Sequence, residues 1–350
     1  MSELEISIAG RKIGAAHEPY IICEISGNHN GSLDRALSLI DAAAQTGCDA
    51  IKLQTYTADT ITMDSDRPEF QLQGGLWDGR SLYELYQEAH TPFDWHPALF
   101  ERAKKHGVTC FSSPFDESAV DLLASLEAPA YKIASFELVD LPLVAYVAQQ
   151  GKPMIMSTGM ANAEEIDAAV QTARKFGSGE IVLLHCVSSY PSEIKDANVR
   201  TVPDLGRRFG VPSGLSDHTF GSAASVAAIA LGGCVIEKHF TLARSDGGPD
   251  AGFSLEPDEF AALVRDCKAA WQALGRVHYD TLGTEQASKT FRRSLYVMQD
   301  VKQGEALTKA NIRSIRPGLG LAPARLWNVL GKTASRDLKR GEPLSADMIG

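Results

Sequence analysis

The feature that most constrains the fold of this chain is the alternation, about eight times, of short apolar segments with amphipathic helical segments. The apolar segments are rich in Ile and Val and apolar on both faces, which is typical of buried parallel strands. They lie at residues 20–25, 49–54, 108–113, 130–135, 153–157, 181–186, 211–216 and 234–239. This alternation favours an eight-stranded parallel barrel over an open doubly wound sheet, although spacing alone does not separate the two.

Residues capable of chemistry follow these apolar segments closely. In a parallel barrel the carboxyl ends of all strands meet at one mouth, where the active site lies. We therefore expect one site that draws on Glu24, Lys52, Ser113, Lys132, Ser135, Glu137, Ser157, Ser188, Tyr190, Ser216, His218, Glu237 and His239.

Composition argues against several classes of protein. The 350 residues include 34 basic and 44 acidic side chains, a formal charge of −10, with no block of Lys or Arg. We therefore expect neither a nucleic acid nor an anionic membrane as a partner. The six cysteines form no CxxC pair, which argues against a disulfide framework or a zinc–cysteine site. Without a long apolar run or a signal-like N-terminus, the expected location is a reducing cytoplasm.

Two segments of the barrel region fall outside the alternation. Residues 1–18 are predicted to form a short strand pair, with the sequence GRKIG as its turn, that closes one end of the barrel. The connection at about 56–95 is unusually long, and an ordered segment of this length is usually functional. We interpret it as part of a lid or substrate wall; the alternative is a surface insertion without a role.

After about residue 285 the alternation stops and a weak internal repeat begins. VKQGEALTKANI at 301–312 matches LKRGEPLSADMI at 338–349. Each copy is predicted to be a strand, a turn and a short helix capped by Thr308 or Ser345. We expect a barrel domain at 1–284 and a small domain with a pseudo-twofold core at 285–350. The turn-rich segment RPGLGLAP between the copies carries Arg316.

His218 and His239 end the seventh and eighth predicted strands, so they would be neighbours in a closed barrel. Two imidazoles with open positions filled by water suit a divalent first-row metal such as manganese, which could polarise a carbonyl oxygen. Taken singly, each is more often a hydrogen-bonded core residue. Their shared position at one rim favours the metal.

Lys52 and Lys132 lie in otherwise apolar segments, where a buried ammonium group is costly unless an anion compensates it. With the hydroxyls of the surrounding serines, they could hold a phosphate or carboxylate. Glu24 and Glu137 could position a water or exchange protons, or could simply form salt bridges with the two lysines. Asp250, in a Gly/Pro-rich loop, suits contact with a sugar hydroxyl or amide and equally suits a plain turn.

A set of motifs resembles the sialic acid synthase family. In order, they are EISGNHNGS, DAIKLQTY, SSPFD, YKIASFE, MSTGM, GLSDHT and EKHF. The segment LWDGRSLYELYQEAHTP, together with KIASFE, is most similar to the pseudaminic acid synthase branch of that family. The resemblance covers nearly the whole chain, and the motifs are specific as a set.

The resemblance implies a (β/α)8 TIM barrel followed by a small antifreeze-like (SAF) C-terminal domain, in a homodimer where each C-terminal domain caps the partner's barrel. Family enzymes condense phosphoenolpyruvate with an acylated amino-sugar aldehyde and use a divalent metal. We expect manganese, with magnesium or cobalt as alternatives. For this branch the sugar would be 2,4-diacetamido-2,4,6-trideoxy-altropyranose and the product pseudaminic acid.

By the same resemblance, each motif residue takes a role. The metal would bind His218 and His239, and the active-site glutamates would be Glu24 and Glu137. The sugar would meet Tyr190, Asp250 and, from the partner subunit, the residue equivalent to Arg316. Phosphoenolpyruvate would be held by Lys52, Ser113, Lys132, Ser135, Ser157, Ser188 and Ser216.

Two residues depart from the sialic acid branch, which commonly has Gly at the position of Phe136 and Asn at that of Ser188. They argue against N-acetylneuraminate as the product, and N-acetylneuraminate or legionaminate synthesis is the alternative function. A pyruvate aldolase that forms a Schiff base on Lys132 is a further alternative. The antifreeze-like segment also allows a sugar- or ice-binding protein, although a binding scaffold has little need for such a ring of ionisable groups.

Overall fold

The computed structural model describes residues 4–350, which form two compact units, one that extends to Gly275 and one at Arg276–Gly350. The first unit contains a closed barrel of eight parallel strands. Each predicted apolar segment overlaps one strand of this barrel, and two of the strands extend one residue further, so the predicted fold is confirmed. The strands are β3 (Tyr20–Glu24), β4 (Ala50–Thr55), β5 (Thr109–Pro114), β6 (Tyr131–Ile133), β7 (Met154–Ser157), β8 (Ile181–Cys186), β9 (Ser213–Ser216) and β10 (Val235–His239).

Helices connect the strands and cover the outside of the barrel. Helix Ala163–Phe176 is representative: the side chain of Asn162 accepts hydrogen bonds from the first-turn amides and begins the helix. Its buried residues recur at helical spacing and pack on the outer side chains of the barrel. The α-helices are α1 (Leu33–Gln45), α2 (Ala58–Ile61), α3 (Leu82–Ala89), α4 (His96–Lys105), α5 (Glu117–Ser125), α6 (Leu141–Ala148), α7 (Ala163–Phe176), α8 (Thr201–Phe209), α9 (Ala223–Ala230), α10 (Pro257–Leu274) and α11 (Leu326–Val329).

A short hairpin of β1 (Glu5–Ile8) and β2 (Arg11–Gly14) closes the amino-terminal end of the barrel, as predicted. Its Ile6, Ile8 and Ile13 are buried in one cluster with the first inward-facing residues of the barrel strands. The predicted turn is wrong, because most of GRKIG forms the second strand. The chain reverses instead at Ala9 and Gly10, both of which have positive φ.

The long second connection is more regular than the sequence analysis predicted. It contains the short helix α2 and the eight-residue helix α3 before α4 begins. Ser81 and Glu84 form a capping box at the start of α3, since each side chain accepts a hydrogen bond from the backbone amide of the other. The Ser-x-x-Glu spacing was the sequence signal for this helix.

The second unit has the predicted internal symmetry. Val301 and Leu338, the first residues of the two copies, exchange backbone hydrogen bonds of 3.0 and 2.8 Å. The ion pairs Lys302–Asp337 and Lys339–Asp300 repeat the relation, at 2.8 Å each. Strands β11 (Ser294–Val297) and β12 (Ile312–Ile315) form a separate antiparallel pair.

The predicted helix of the first copy is wrong. Residues 309–310 form only a turn, in which the hydroxyl of Thr308 accepts from the amide of Ala310. The second copy forms one short 3₁₀ turn at Ala346–Met348, after Ser345. Neither copy has room for more than one turn before the chain returns to the small core. Among residues 4–350, no helix has both the length and the apolarity needed to cross a membrane.

Candidate active site

The barrel strands place their functional side chains by the two-residue period of β-structure. Inward positions near the strand starts are apolar, as at Ile22, Ile155 and Val235, and pack into the cluster that the hairpin closes. The next inward positions toward the strand ends carry charge or hydroxyls. Seven of the eight strands therefore have an apolar lower part and an upper part with charged or hydroxyl side chains; β8 is the exception, with Leu184 and Cys186 after Val182. The residues at the upper level are Glu24, Lys52, Ser113, Lys132, Ser157, Ser216, Glu237 and His239.

Two buried lysines and two buried glutamates form the centre of the site. The ammonium group of Lys132 lies 3.0 Å from Oε1 of Glu237, and that of Lys52 lies 3.8 Å from the same oxygen. Lys52 also forms an ion pair with Glu24. None of the four is more than 4% exposed. Such a group is tolerated in the interior only because the opposite charges are equal in number and in contact.

The pKa values in this cluster follow from burial and from the pairing. Burial opposes the charge of Lys52, but Glu237 and Glu24 together raise its pKa above the ordinary lysine value. Burial lowers the pKa of Lys132, against the attraction of Glu237. Burial also raises the pKa of Glu24, and Lys52 only partly offsets this. Both lysines can therefore present positive charge to an anion only while acidic neighbours remain close.

Glu237 is the central acid of this cluster, and the sequence analysis gave it no role. Its Oε1 accepts from Lys132 and from the hydroxyl of Ser216, the latter at 3.1 Å. Its Oε2 is buried without a hydrogen-bond partner. An acid inside the apolar segment CVIEKH, two residues before His239, was the available sequence signal, because this spacing puts both side chains on the inner face.

The predicted serines place separate hydroxyl groups around the two lysines. Ser113 accepts from the ammonium group of Lys52 at 3.3 Å, and the hydroxyl of Ser157 is buried without a partner. Ser135 accepts from the amide of Gly159 at 3.1 Å. A Cβ atom at Gly159 would lie 2.3 Å from the hydroxyl of Ser188 and 2.7 Å from that of Ser135. Only glycine leaves this space open between the two hydroxyls.

Glu137 stands apart from the four-residue cluster, on the loop after β6. Its Oε2 is buried without a hydrogen-bond partner, and burial raises its pKa to about 7. A carboxyl group with such a pKa can either hold or release a proton near neutrality. The preceding Phe136 is 59% exposed, so a large apolar side chain lies beside this acid.

His218 and His239 are brought together as predicted, with ring centroids 5.4 Å apart. Nδ1 of His218 lies 2.9 Å from the carbonyl oxygen of Val187, which can only accept, so this nitrogen carries the proton. Nε2 of His218 then keeps its lone pair. Nδ1 of His239 is buried without a partner. One ring fixed by a backbone carbonyl and a second with an unpartnered nitrogen is a donor set that fits a metal ion.

Among the residues that the structure describes, the two imidazoles have no third side chain of the usual ligand types placed with them. Within residues 4–350, no group of three or more His, Cys, Asp or Glu side chains is arranged to hold a metal ion. A cation bound here would keep several positions for water or substrate oxygen. Behind the histidines, Asp217 and Lys238 form a buried ion pair of 2.8 Å and fix the two strand ends on which the rings are carried.

The predicted sugar contacts of the barrel unit lie on the loops above the histidines. The ring of Tyr190 packs on that of His218, with the two ring centroids 4.4 Å apart. Asp250 accepts a hydrogen bond from the hydroxyl of Ser26, and burial, with the charge of Glu24 adding to it, raises its pKa to about 7. Arg316 belongs to the second unit, where it is exposed at the start of the turn-rich segment 316–323.

Comparison with known proteins agrees with this geometry. Residues 39–279 match the NeuB family and residues 292–350 match the SAF domain. The chain is 46% identical over 325 residues to the pseudaminic acid synthase of Campylobacter jejuni, which covers 93% of this chain and 95% of that protein. It is also 46% identical to the pseudaminic acid synthase of Helicobacter pylori, with 95% and 98% covered.

More distant relatives are named as synthases of other acids. The N,N'-diacetyllegionaminic acid synthase of Legionella pneumophila is 34% identical, over 95% of this chain and 94% of that protein. Among solved structures, the N-acetylneuraminic acid synthetase of Leptospira borgpetersenii is 32% identical and superposes with a TM-score of 0.73. The match covers 82% of this chain and 95% of that one.

The substitution Glu237→Gln tests the central role of this acid. It leaves two buried ammonium groups with one carboxylate, so we expect the free energy of unfolding to fall by about 3 kcal/mol in urea denaturation. The control is Glu193→Gln, which removes an exposed ion pair of 2.6 Å to Lys195 and should have no measurable effect. Equal stability of the two variants would contradict the assignment.

Proposed function

This chain belongs to the NeuB family, and from that membership we propose that it condenses phosphoenolpyruvate with 2,4-diacetamido-2,4,6-trideoxy-altropyranose, giving pseudaminic acid and phosphate. The observation that carries the chemistry is the buried pair Lys52 and Lys132, ringed by serine hydroxyls at one barrel mouth. The choice of sugar is supported by 46% identity to two pseudaminic acid synthases over nearly the whole chain.

Phosphoenolpyruvate is the ligand that the anion-binding part of the site suits best. Lys52 and Lys132 supply positive charge, Ser135 and Ser188 supply hydroxyls beside Gly159, and Ser157 supplies a buried hydroxyl without a partner. Ser113 and Ser216 lie against the lysine–glutamate cluster. Since a phosphate brings its own charge, it would take over part of the pairing that the glutamates provide.

A divalent metal, for which we propose manganese, would bind His218 and His239. When bound there, it would polarise the aldehyde oxygen of the open-chain sugar as a Lewis acid. The chain supports this site through the carbonyl of Val187, which fixes the ring of His218. Tyr190 packs on the same ring and excludes water from one side of it.

The reaction forms one carbon–carbon bond and one carbon–oxygen bond, from water to C2, and breaks the bond between C2 and the phosphate oxygen. One proton of the water goes to the former aldehyde oxygen and the other leaves with the phosphate. C3 of phosphoenolpyruvate attacks the aldehyde carbon, and positive character develops at C2. Water then adds to C2, and phosphate leaves with cleavage of its C–O bond. The acids fixed beside the site stabilise the positive character, and the lysines stabilise the leaving phosphate, without reorganisation during the reaction.

We propose that Glu24 handles the attacking water, with Glu137 as the rival. Glu24 is the last residue of β3, and its side chain lies on the inner face of the barrel. It contacts Lys52, so it is next to the anion-binding groups. Glu137 has a raised pKa of about 7 and an unpartnered oxygen, which suit proton transfer instead. Both remain within the same mouth, since each pKa is influenced by Lys52.

The second domain has a proposed role in a homodimer. We place the catalytic domain at 1–284 and the antifreeze-like domain at 285–350, and we propose that each small domain caps the partner's barrel and contributes Arg316 to the sugar. The proposed location is the cytoplasm, which the six buried free thiols support, because a reducing compartment keeps thiols unpaired.

The function is tested by phosphate release from phosphoenolpyruvate with each of three sugars. We expect the altrose derivative to be the best substrate, ahead of the precursors of legionaminic and N-acetylneuraminic acid. Pyruvate with borohydride should give no stable adduct on Lys132. A better rate with either other sugar would contradict the specificity, and an adduct without phosphate release would indicate an aldolase.

The metal site is tested by His218→Ala and His239→Ala. Each variant should lose activation by added manganese after chelation, because each removes one of two protein ligands. The near-ultraviolet circular dichroism spectrum should match that of the unchanged protein. Full activity of either variant after metal repletion would remove the proposed pair.

The role of Arg316 is tested with mixed dimers, obtained by coexpression of differently tagged Arg316→Ala and Glu24→Ala chains. Each variant alone should be inactive or nearly so. In the mixed dimer, one barrel keeps Glu24 and receives Arg316 from its partner, so about half the activity should return if the arginine acts across the dimer. Purified mixed dimers without activity would show that it does not.

A further inference from the structure

One segment of the long second connection folds back on itself into a compact turn. The amide of Leu72 donates to the carbonyl of Arg80 at 2.8 Å, and that of Gly79 donates to the carbonyl of Leu72 at 3.1 Å. The carboxylate of Asp78 accepts from the amide of Gly74 at 2.6 Å. We call residues 72–80 the Trp77 loop, after the side chain at its tip.

Trp77 connects this loop to the other side of the barrel mouth. Its indole nitrogen donates to the carbonyl oxygen of Pro249 at 2.9 Å, a contact between residues 172 positions apart in the sequence. Its ring also lies 6.0 Å from that of Tyr190, at an interplanar angle of 52°. The side chain is half-buried, so it is held between the two neighbouring loops and does not extend into solvent.

The two contacts of Trp77 lead directly to the sugar-binding residues proposed above. Pro249 is the neighbour of Asp250, whose carboxylate is fixed from its other side by the hydroxyl of Ser26. Tyr190 lies between Trp77 and the ring of His218. Without the indole, the ring of Tyr190 and the loop that carries Asp250 would each lose one contact. The contacts among Lys52, Lys132 and Glu237 would remain.

We propose that Trp77 is a positioning residue for the sugar substrate, and that the Trp77 loop acts through it by holding Tyr190 and Asp250 in the orientation that binds the sugar. This inference rests on the proposed function. The indole fits the role because it joins an apolar face, which packs on Tyr190, to a single donor, which fixes the loop of Asp250. Phosphoenolpyruvate binding should depend on it little, since most of its proposed ligands, among them Lys52 and Lys132, lie on the barrel strands and only Ser188 shares the loop of Tyr190.

The test compares Michaelis constants for both substrates in Trp77→Ala and Trp77→Phe. We expect Trp77→Ala to raise the KM for the altrose derivative roughly tenfold, since it removes a hydrogen bond and an aromatic contact. The KM for phosphoenolpyruvate should change by less than about twofold. Trp77→Phe keeps the aromatic contact and should give an intermediate effect on the sugar alone.

A matched control is available in Trp271→Phe. Trp271 lies on α10, and its indole nitrogen also donates to a backbone carbonyl, that of Ala15, at 3.1 Å. The control therefore removes the same kind of hydrogen bond from a residue outside the mouth, and neither Michaelis constant should change. Thermal unfolding of all three variants separates general destabilisation from a specific effect on the sugar.

Each outcome has one reading. A rise in the sugar KM alone, in the order Ala above Phe, supports the proposal. An unchanged sugar KM, or an equal rise in both constants, overturns it even when turnover is normal. Where Trp77→Ala does not fold, Trp77→Phe decides by the same criterion. Absence of turnover in the unsubstituted enzyme would instead overturn the proposed function, and this inference with it.

Discussion

The buried contact of two lysines with two glutamates is the interaction on which the site depends. Lys52 and Lys132 could not remain charged in the barrel without Glu24 and Glu237 beside them. In the proposed function the same acids would keep the lysines charged for phosphoenolpyruvate, because a phosphate can replace part of an existing charge pairing. The barrel can therefore keep two positive charges in its interior with only a small loss in its free energy of unfolding.

The fold could be predicted because one sequence pattern determines both the strands and the direction of their side chains. Apolar segments of Ile and Val mark the buried strands, and the two-residue period brings their last inward residues to one mouth. His218 and His239 could be paired in this way without any structure, since His239 ends β10 and His218 follows the end of the neighbouring β9 by two residues. The motifs then identified the family, and the roles of the serines remain part of the proposed function.

Other features depended on contacts that no local pattern encodes. Glu237 is central only because Lys132 approaches it from a strand more than a hundred residues away. Trp77 is held in position by its hydrogen bond to the carbonyl oxygen of Pro249, on the other side of the mouth. The hairpin turn and the short helix after Thr308 were mispredicted because a shift of a few residues decides them. Such shifts follow from packing against the rest of the unit more than from the turn residues themselves.

The hairpin that closes the amino-terminal end of the barrel limits how ligands can reach the site. With Ile6, Ile8 and Ile13 filling that end, ligands can arrive and leave only by the opposite opening. A phosphate bound at Lys52 and Lys132 would lie inside the barrel, which is closed below it, and Tyr190 and Asp250 would lie above it at the open end. In the proposed reaction, phosphoenolpyruvate would then have to bind before the sugar, because a sugar held at Tyr190 and Asp250 would block its way in.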